Sequence, residues 1–325
     1  MQISKFIRQV AVVSLLMLFI MPVQAQNNER AIRVGSELFA ESEILAQMMI
    51  IMLQDAGFTV EDNTAFGGTF ENRNALEDGI IDVYPEYTGT AYANFNLEAR
   101  DEIALDGIVN PLQIYVTVAT LDAANHDLIW LQPAPASNAY ALTVTKEFSE
   151  ANDITTMSEF AAYVNDGGVV KLATNEEFAQ FSDGLPYFET LYNFDITGEQ
   201  MIVVIGATPA QTEDALARGV NGINVAMAFA TDGTISALDL VVLEDDLEVF
   251  LPYQPAPVFN GELIRDNPEI VTILNPVFAS LSAPVVRGLN LQVQVLGETP
   301  YDVALSYLEA AGFLGDEETE AENSD

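Results

Sequence analysis

Asp82-Val83-Tyr84-Pro85-Glu86-Tyr87-Thr88-Gly89-Thr90 decides the fold, because it closes a helix–glycine–strand unit that the chain uses twice. In the first copy, Ala75-Leu76-Glu77-Asp78-Gly79 leads through two apolar residues to Asp82-Val83 and on to Tyr87. Far downstream, Ala215-Leu216-Ala217-Arg218-Gly219 leads to Asn224-Val225, then to Phe229 and the turn Thr231-Asp232-Gly233-Thr234. Each copy reads as a helix closed by a C′ glycine, a short buried strand, and an aromatic delivered at the strand's C-terminal end. Open α/β sheets bind ligands at that end of their strands. Two such units predict two lobes, each bringing an aromatic to a shared cleft.

Outward from this stretch the pattern alternates strand and helix. Residues 32–34 read as a strand, 41–56 as a helix stopped by Gly57, 58–60 as a strand, and 70–78 as the helix leading into Val83. Such alternation predicts a parallel sheet with helices on both faces. A helix over 114–123 and a strand over 128–131 precede Gln132-Pro133-Ala134-Pro135-Ala136-Ser137-Asn138, whose prolines mark a crossing into a second lobe. There, strands over 140–145, 169–173, 201–205 and 223–229 alternate with helices over 157–164 and 208–218, and an apolar run over 238–243 follows. Leu251-Pro252-Tyr253-Gln254-Pro255-Ala256-Pro257 reads as a second extended crossing. Three helical segments beyond it, 269–281, 285–296 and 301–311, have no strong strand between them and are expected to pack on the first lobe. The expected division is therefore 30–137 plus 253–314 for lobe 1 and 138–252 for lobe 2.

Lys5 and Arg8, an apolar run over 10–21 and Pro22-Val23-Gln24-Ala25 make residues 1–25 a secretory signal peptide by pattern. The run falls short of the ~20 residues that span a bilayer. A periplasmic or other extracytoplasmic location is expected. Without cysteine the chain has no disulfide framework and no lipid-acceptor thiol after its signal. Forty-nine acidic residues against 11 Lys and Arg give a formal net charge of −38. That field repels nucleic acid and anionic membrane surfaces and concentrates cations. Residues 315–325 are almost wholly acidic and polar, and read as a disordered tail.

Catalytic signatures are missing. The single histidine, His126, lies in a polar stretch beside Asp127, and there is no Gly-x-Ser-x-Gly elbow, P-loop or dinucleotide fingerprint. Glu244-Asp245-Asp246 lacks the alternating oxygen spacing of a calcium loop and reads as a solvated acidic face. A binding protein without cofactor or metal, rather than an enzyme, is expected.

Gly35-Ser36-Glu37-Leu38-Phe39-Ala40-Glu41, Phe66-Gly67-Gly68-Thr69 and the 82–90 stretch resemble the substrate-binding proteins of glycine betaine, choline and carnitine ABC importers. The resemblance continues through Trp130-Leu131, Asn138 to Leu142, Glu177-Phe178, Asp183-Gly184-Leu185, Ala228 to Gly233, Leu240 to Asp246, Pro252 to Pro257, Leu289-Asn290 and Asp302-Val303-Ala304. It spans most of the chain. It implies a type II periplasmic-binding-protein fold, two α/β lobes joined by two crossings around a central cleft. It also implies an ABC permease as partner and a quaternary ammonium ligand held in a box of aromatic rings. Carried over by motif, those rings are Tyr87, Tyr140, Phe229 and Tyr253, with Thr90 and Asn138 as polar groups that orient the ligand.

Two positions depart from the family pattern. Where relatives often place a Lys or Gln after Gly-Ser, this chain has Glu37, and where an Arg is common four residues after Glu177 it has Phe181. An anion and an apolar ring thus stand where a ligand carboxylate would be met. Choline or a similar cation is therefore favoured over glycine betaine. A monomer is expected, and a ligand sensor built on the same fold is the alternative to an importer component.

Overall fold

The computed structural model describes residues 30–95, 110–180 and 184–315. The expected signal peptide, Phe181 and the acidic tail beyond Gly315 lie outside the described residues. Among the described residues ten strands form two five-stranded sheets. The first runs β2-β1-β3-β10-β4, with β1 at Ile32–Glu37, β2 at Val60–Gly67, β3 at Val83–Tyr87, β4 at Leu128–Trp130 and β10 at Pro255–Asn260. The second runs β7-β6-β8-β5-β9, with β5 at Tyr140–Thr145, β6 at Leu172–Thr174, β7 at Met201–Val203, β8 at Val225–Phe229 and β9 at Leu240–Val242.

The repeated unit occupies the same place in both sheets. The Thr69–Glu77 helix ends at Gly79, with φ +64°, and feeds β3; the Pro209–Ala217 helix ends at Gly219, with φ +58°, and feeds β8. Both glycines adopt the left-handed conformation that terminates a helix, which a side chain would strain. β3 and β8 are each third in their sheet's order, and each ends on an aromatic, Tyr87 or Phe229.

Neither sheet is purely parallel, which corrects the expectation from alternation. β1 pairs parallel with β2 and β3, and β6 with β7 and β8, but β10 and β5 run antiparallel to both of their neighbours. These are the strands that follow the crossings, so the chain enters each sheet from the opposite end. β10 refines the reading of 251–257 as an extended crossing, since Pro255 and Pro257 lie in a paired strand of the sheet. Pro257 stands opposite Pro85 of β3, while its carbonyl accepts from Leu131 N–H at 2.9 Å and that of Pro255 from Ala134 N–H at 2.8 Å. The prolines lack donors but still serve as acceptors. Two strands start later than expected: β2 begins at Val60 and β6 at Leu172, leaving Val169 76% exposed.

Each sheet is buried on both faces by alternate residues. Val83 and Phe259 face the core formed with the Ala40–Asp55 helix, whereas their neighbours Tyr84 and Val258 face the one containing Trp130, Leu76 and Val118. Leu142, Val225 and Met227 likewise face one core of the second sheet, with Ala226 and Ala228 on the other side. The Ala40–Asp55 helix is apolar nearly all round because it is covered all round: β1, β2 and the Glu269–Ser280, Ala283–Gln294 and Pro300–Ala310 helices enclose it. Among the described residues no single helix is long and apolar enough to cross a membrane.

One buried ion pair pins the face away from that helix. Arg73 donates to both oxygens of Asp122, at 2.9 and 2.7 Å, and Trp130 Nε1–H donates to Asp122 Oδ2 at 2.7 Å. Arg73 also donates to Glu77, which His126 meets at 3.3 Å on the surface. Asp122 is fully buried, so removing it would strand a buried guanidinium. Asp122→Ala should lower unfolding free energy by about 3–5 kcal/mol in urea titration, and a loss under ~1 kcal/mol would show the pair to be dispensable.

Candidate functional site

All five residues of β3 are buried, so the strand delivers Tyr87 rigidly to its end, 4% exposed. There the Tyr87 hydroxyl donates to Glu41 Oε1 at 3.0 Å, and its ring lies 5.9 Å from that of Phe39. The turn after it is tied to the second crossing. Thr88 Oγ1 donates to the Pro252 carbonyl at 3.0 Å and accepts from Gln254 N–H at 3.1 Å. Gly89 is required by proximity, because a Cβ there would stand 2.8 Å from the Pro252 oxygen and 2.9 Å from the Tyr253 ring. Tyr253 is thus laid over the turn that follows Tyr87. The crossings are bonded to one another, Tyr253 N–H to Ser137 Oγ and Asn138 N–H to the Tyr253 carbonyl, each at 2.9 Å.

In the second sheet Tyr140 pairs directly with Phe229 across β5 and β8. Their rings stack with centroids 5.0 Å apart and planes 24° apart, and Phe178 meets Tyr140 at 5.1 Å. No ion fits between rings at that separation. A cation would meet the outer face of the stack. The four aromatics therefore fall into two groups, Tyr87 with Tyr253 on the first lobe and Tyr140 with Phe229 on the second. Thr90 is half-buried, its carbonyl accepting from Asn94 Nδ2–H at 3.2 Å. Asn138 extends its side chain toward Glu41 and Tyr87, while its Oδ1 is buried without a hydrogen-bond donor among the described residues.

Glu37 is 8% exposed and turned toward the N-terminus of the Thr69–Glu77 helix, where Thr69 donates to its Oε2 at 3.1 Å. Burial raises its pKa above the ordinary carboxylate range, against the lowering effect of that hydrogen bond. Glu41 is likewise raised by burial, although Thr231, Asn290, Tyr87 and Asn138 all hydrogen-bond it. Glu86 is fully buried, takes a 2.5 Å bond from Tyr84 and a 2.6 Å bond from Tyr87 N–H, and is pushed up to about 8 by burial and then by the charge of Glu37. On the second lobe burial raises Asp232 to about 6, and burial followed by the charge of Asp232 raises Glu213 to about 8. Among the described residues no ion pair joins Glu37, Glu41 or Glu86 to Lys or Arg.

Four residues of this neighbourhood had no role in the sequence reading: Phe39, Glu41, Phe178 and Asn290. All stand inside the motifs quoted above, so their positions were legible and their contacts were not. Glu244-Asp245-Asp246, read as a solvated face, instead organises a loop. Asp245 accepts from the Tyr192 hydroxyl and from Val249 and Phe250 N–H, and Asp246 from Ser158 N–H. A cavity of about 390 Å³ opens along the crossings, lined by Ser137, Tyr140, Ala230 and Phe250 among others. Of the four aromatics it touches only Tyr140, so it lies to one side of them.

Residues 30–310 match the family model of the substrate binding domain of the ABC-type glycine betaine transport system. The chain belongs to this family. It is 35% identical over 293 residues to the glycine betaine-binding protein YehZ of Escherichia coli, covering 90% of this chain and 93% of that one. The structure of apo YehZ superposes with a TM-score of 0.78 over 87% of this chain and 99% of the other. A glycine-betaine-binding protein of Pseudomonas aeruginosa is 29% identical over 88% of this chain and 89% of its own. The chain is accordingly a substrate-binding protein of an ABC importer, with the extracytoplasmic setting and permease partner that this class has, and not an enzyme.

The raised carboxyl groups set the pH dependence of stability. Glu86 keeps a proton in the folded protein that the unfolded chain releases above its ordinary value of 4.5. Its contribution is full below that value and is lost as pH rises through about 8. Glu213 acts in the same direction over the same window. Unfolding free energy should fall from pH 5 to pH 8, by up to ~1.4 kcal/mol per pH unit for each proton retained. Glu86→Gln should flatten that slope in denaturant titrations, and a wild-type slope in the variant would exclude Glu86 as a source.

Proposed function

We propose that the protein captures a quaternary ammonium compound between its lobes, with Tyr87, Tyr140, Phe229 and Tyr253 as aromatic contacts, and presents it to the permease. The observation that carries this reading is the conjunction of those rings with buried carboxyl groups, Glu37, Glu41 and Glu86, that form no ion pair with Lys or Arg among the described residues. A quaternary ammonium has no N–H to donate, so hydrogen bonds cannot select it. Ring faces can, each contributing about 0.5–2 kcal/mol when desolvated. Residues 30–137 plus 253–314 and 138–252 are the bodies that close on the ligand, the protein acts as a monomer, and residues 1–25 direct its export.

Choline-like ligands are preferred over glycine betaine in this proposal. A ligand carboxylate ~5 Å from an ionised Glu37 would be repelled by about 3 kcal/mol at an effective dielectric of 20. A choline hydroxyl would instead find acceptors in Glu37 or Asn138 Oδ1, and Thr90 and Phe181 complete the proposed set of ligand contacts. The relatives described above are named for glycine betaine, so a choline preference would set this chain apart from them.

Calorimetric titration with choline and glycine betaine should give at least tenfold tighter choline binding, a ~1.4 kcal/mol gap. Glu37→Lys should reverse the order. Equal or tighter binding of glycine betaine to the unmodified protein would refute the choline preference and leave the wider ammonium reading intact. Substituting Tyr87, Tyr140, Phe229 or Tyr253 by Ala should each weaken binding by about 1–3 kcal/mol, from lost cation–π contact and packing. Two or more folded variants with unchanged affinity would remove the aromatic box from the account.

A further inference from the structure

The Ala283–Gln294 helix belongs to the first lobe by its packing, with Val286 and Leu289 in the core around the Ala40–Asp55 helix. Its opposite stripe reaches the second lobe. Arg287, Asn290 and Gln294, spaced three and four residues apart, share one helix face. They meet the 230–233 turn that follows Phe229. Arg287 Nε–H donates to the Ala230 carbonyl at 2.6 Å, and Gln294 Oε1 accepts from Gly233 N–H at 2.9 Å. Between them the Asn290 amide nitrogen donates one hydrogen to the Thr231 carbonyl and one to Glu41 Oε2, both at 2.8 Å. Gly233 makes the approach feasible, because a Cβ there would lie 2.3 Å from Leu291 N.

Asn290 thereby stands in a continuous path from Tyr87, through Glu41, to the turn that carries Phe229. We propose that Asn290, flanked by Arg287 and Gln294, is a positioning residue that ties the lobes together in the ligand-holding form, a third and non-covalent link beside the two crossings. This rests on the reading that ligand is held between the lobes. The link is built to be reversible. Among the described residues the buried members of each hydrophobic cluster come from a single lobe, so the contacts that cross here are polar, and water replaces polar contacts at little net cost when the surfaces part. The Asn290 side chain is 2% exposed and its Oδ1 has no hydrogen-bond donor among the described residues, so burying it serves the amide's two donated bonds rather than its own satisfaction.

The absence of cysteine gives a clean test. Cysteines introduced as Asp55→Cys and Glu150→Cys, both at exposed positions on different lobes, take a pair of distance-reporting labels. In the ligand-free protein, Asn290→Ala, the double variant Arg287→Ala with Gln294→Ala, and Gly233→Ala as a steric wedge should each lengthen the mean distance between labels. Each should also weaken choline or glycine betaine binding by about three- to tenfold, as the closing-competent fraction falls. The double variant removes less buried atoms than Asn290→Ala and should keep the melting temperature of the parent, which separates opening from unfolding. An unchanged distance in the folded variants overturns the proposal, and so does a longer distance with unchanged affinity. Should the parent bind neither compound, the functional reading fails while the distance measurement still decides the link.

Discussion

Glu41 is the group on which the ligand end of the molecule depends. It sits at the start of the Ala40–Asp55 helix, 2% exposed, where both lobes and the second repeat's turn converge. A carboxylate is costly to bury without partners, and no cation neutralises this one among the described residues; hydrogen bonds from Tyr87 and Asn290, with Thr231 and Asn138 beside them, take that place. Each donor is held in turn by its own element. Tyr87 is fixed by a fully buried strand, Asn290 by a helix packed on the core, and Thr231 by the turn after β8. The arrangement couples elements separated by 249 residues in sequence through one side chain.

The same economy of cations extends over the site. Glu37, Glu86, Glu213 and Asp232 are all buried and raised, and the few basic side chains are employed elsewhere, Arg73 on Asp122 and Arg33 on Asp82. Among the described residues Glu37, Glu41 and Glu86 have no Lys or Arg ion pair, which is the charge balance that the proposed cationic ligand would meet. The large negative net charge is a separate matter. It adds long-range attraction for cations.

The two sheets have one topology used twice, each with one strand, β10 or β5, that follows a crossing and runs antiparallel to both of its neighbours. The hydrogen bonds from Tyr87 to Glu41 and from Asn290 to Glu41 and Thr231 connect the end of β3 with the turn after β8. Pro252, Pro255 and Pro257 hold the chain extended and supply carbonyls to Thr88, Ala134 and Leu131, so the joint between the lobes is stiffened while it remains hydrogen-bonded.

Much of this was determined by the sequence alone, because its signals are local. The helix–glycine–strand repeat that ends on Tyr87 and Phe229 and the helix stopped by Gly57 follow from periodicity and left-handed glycines, while Tyr140 and Tyr253 were marked by the family resemblance of their motifs. Strand identity at β10 was illegible, since its prolines argue against a strand until Pro85 and the acceptors of the first crossing are known to lie beside it. Contacts at the site were hidden for a related reason. That Tyr140 stacks on Phe229, that Glu37 turns to Thr69, and that Asn290 bridges Glu41 to Thr231 depend on strand register and helix docking. Such distances are decided by packing among residues far apart in the chain, where no local preference acts.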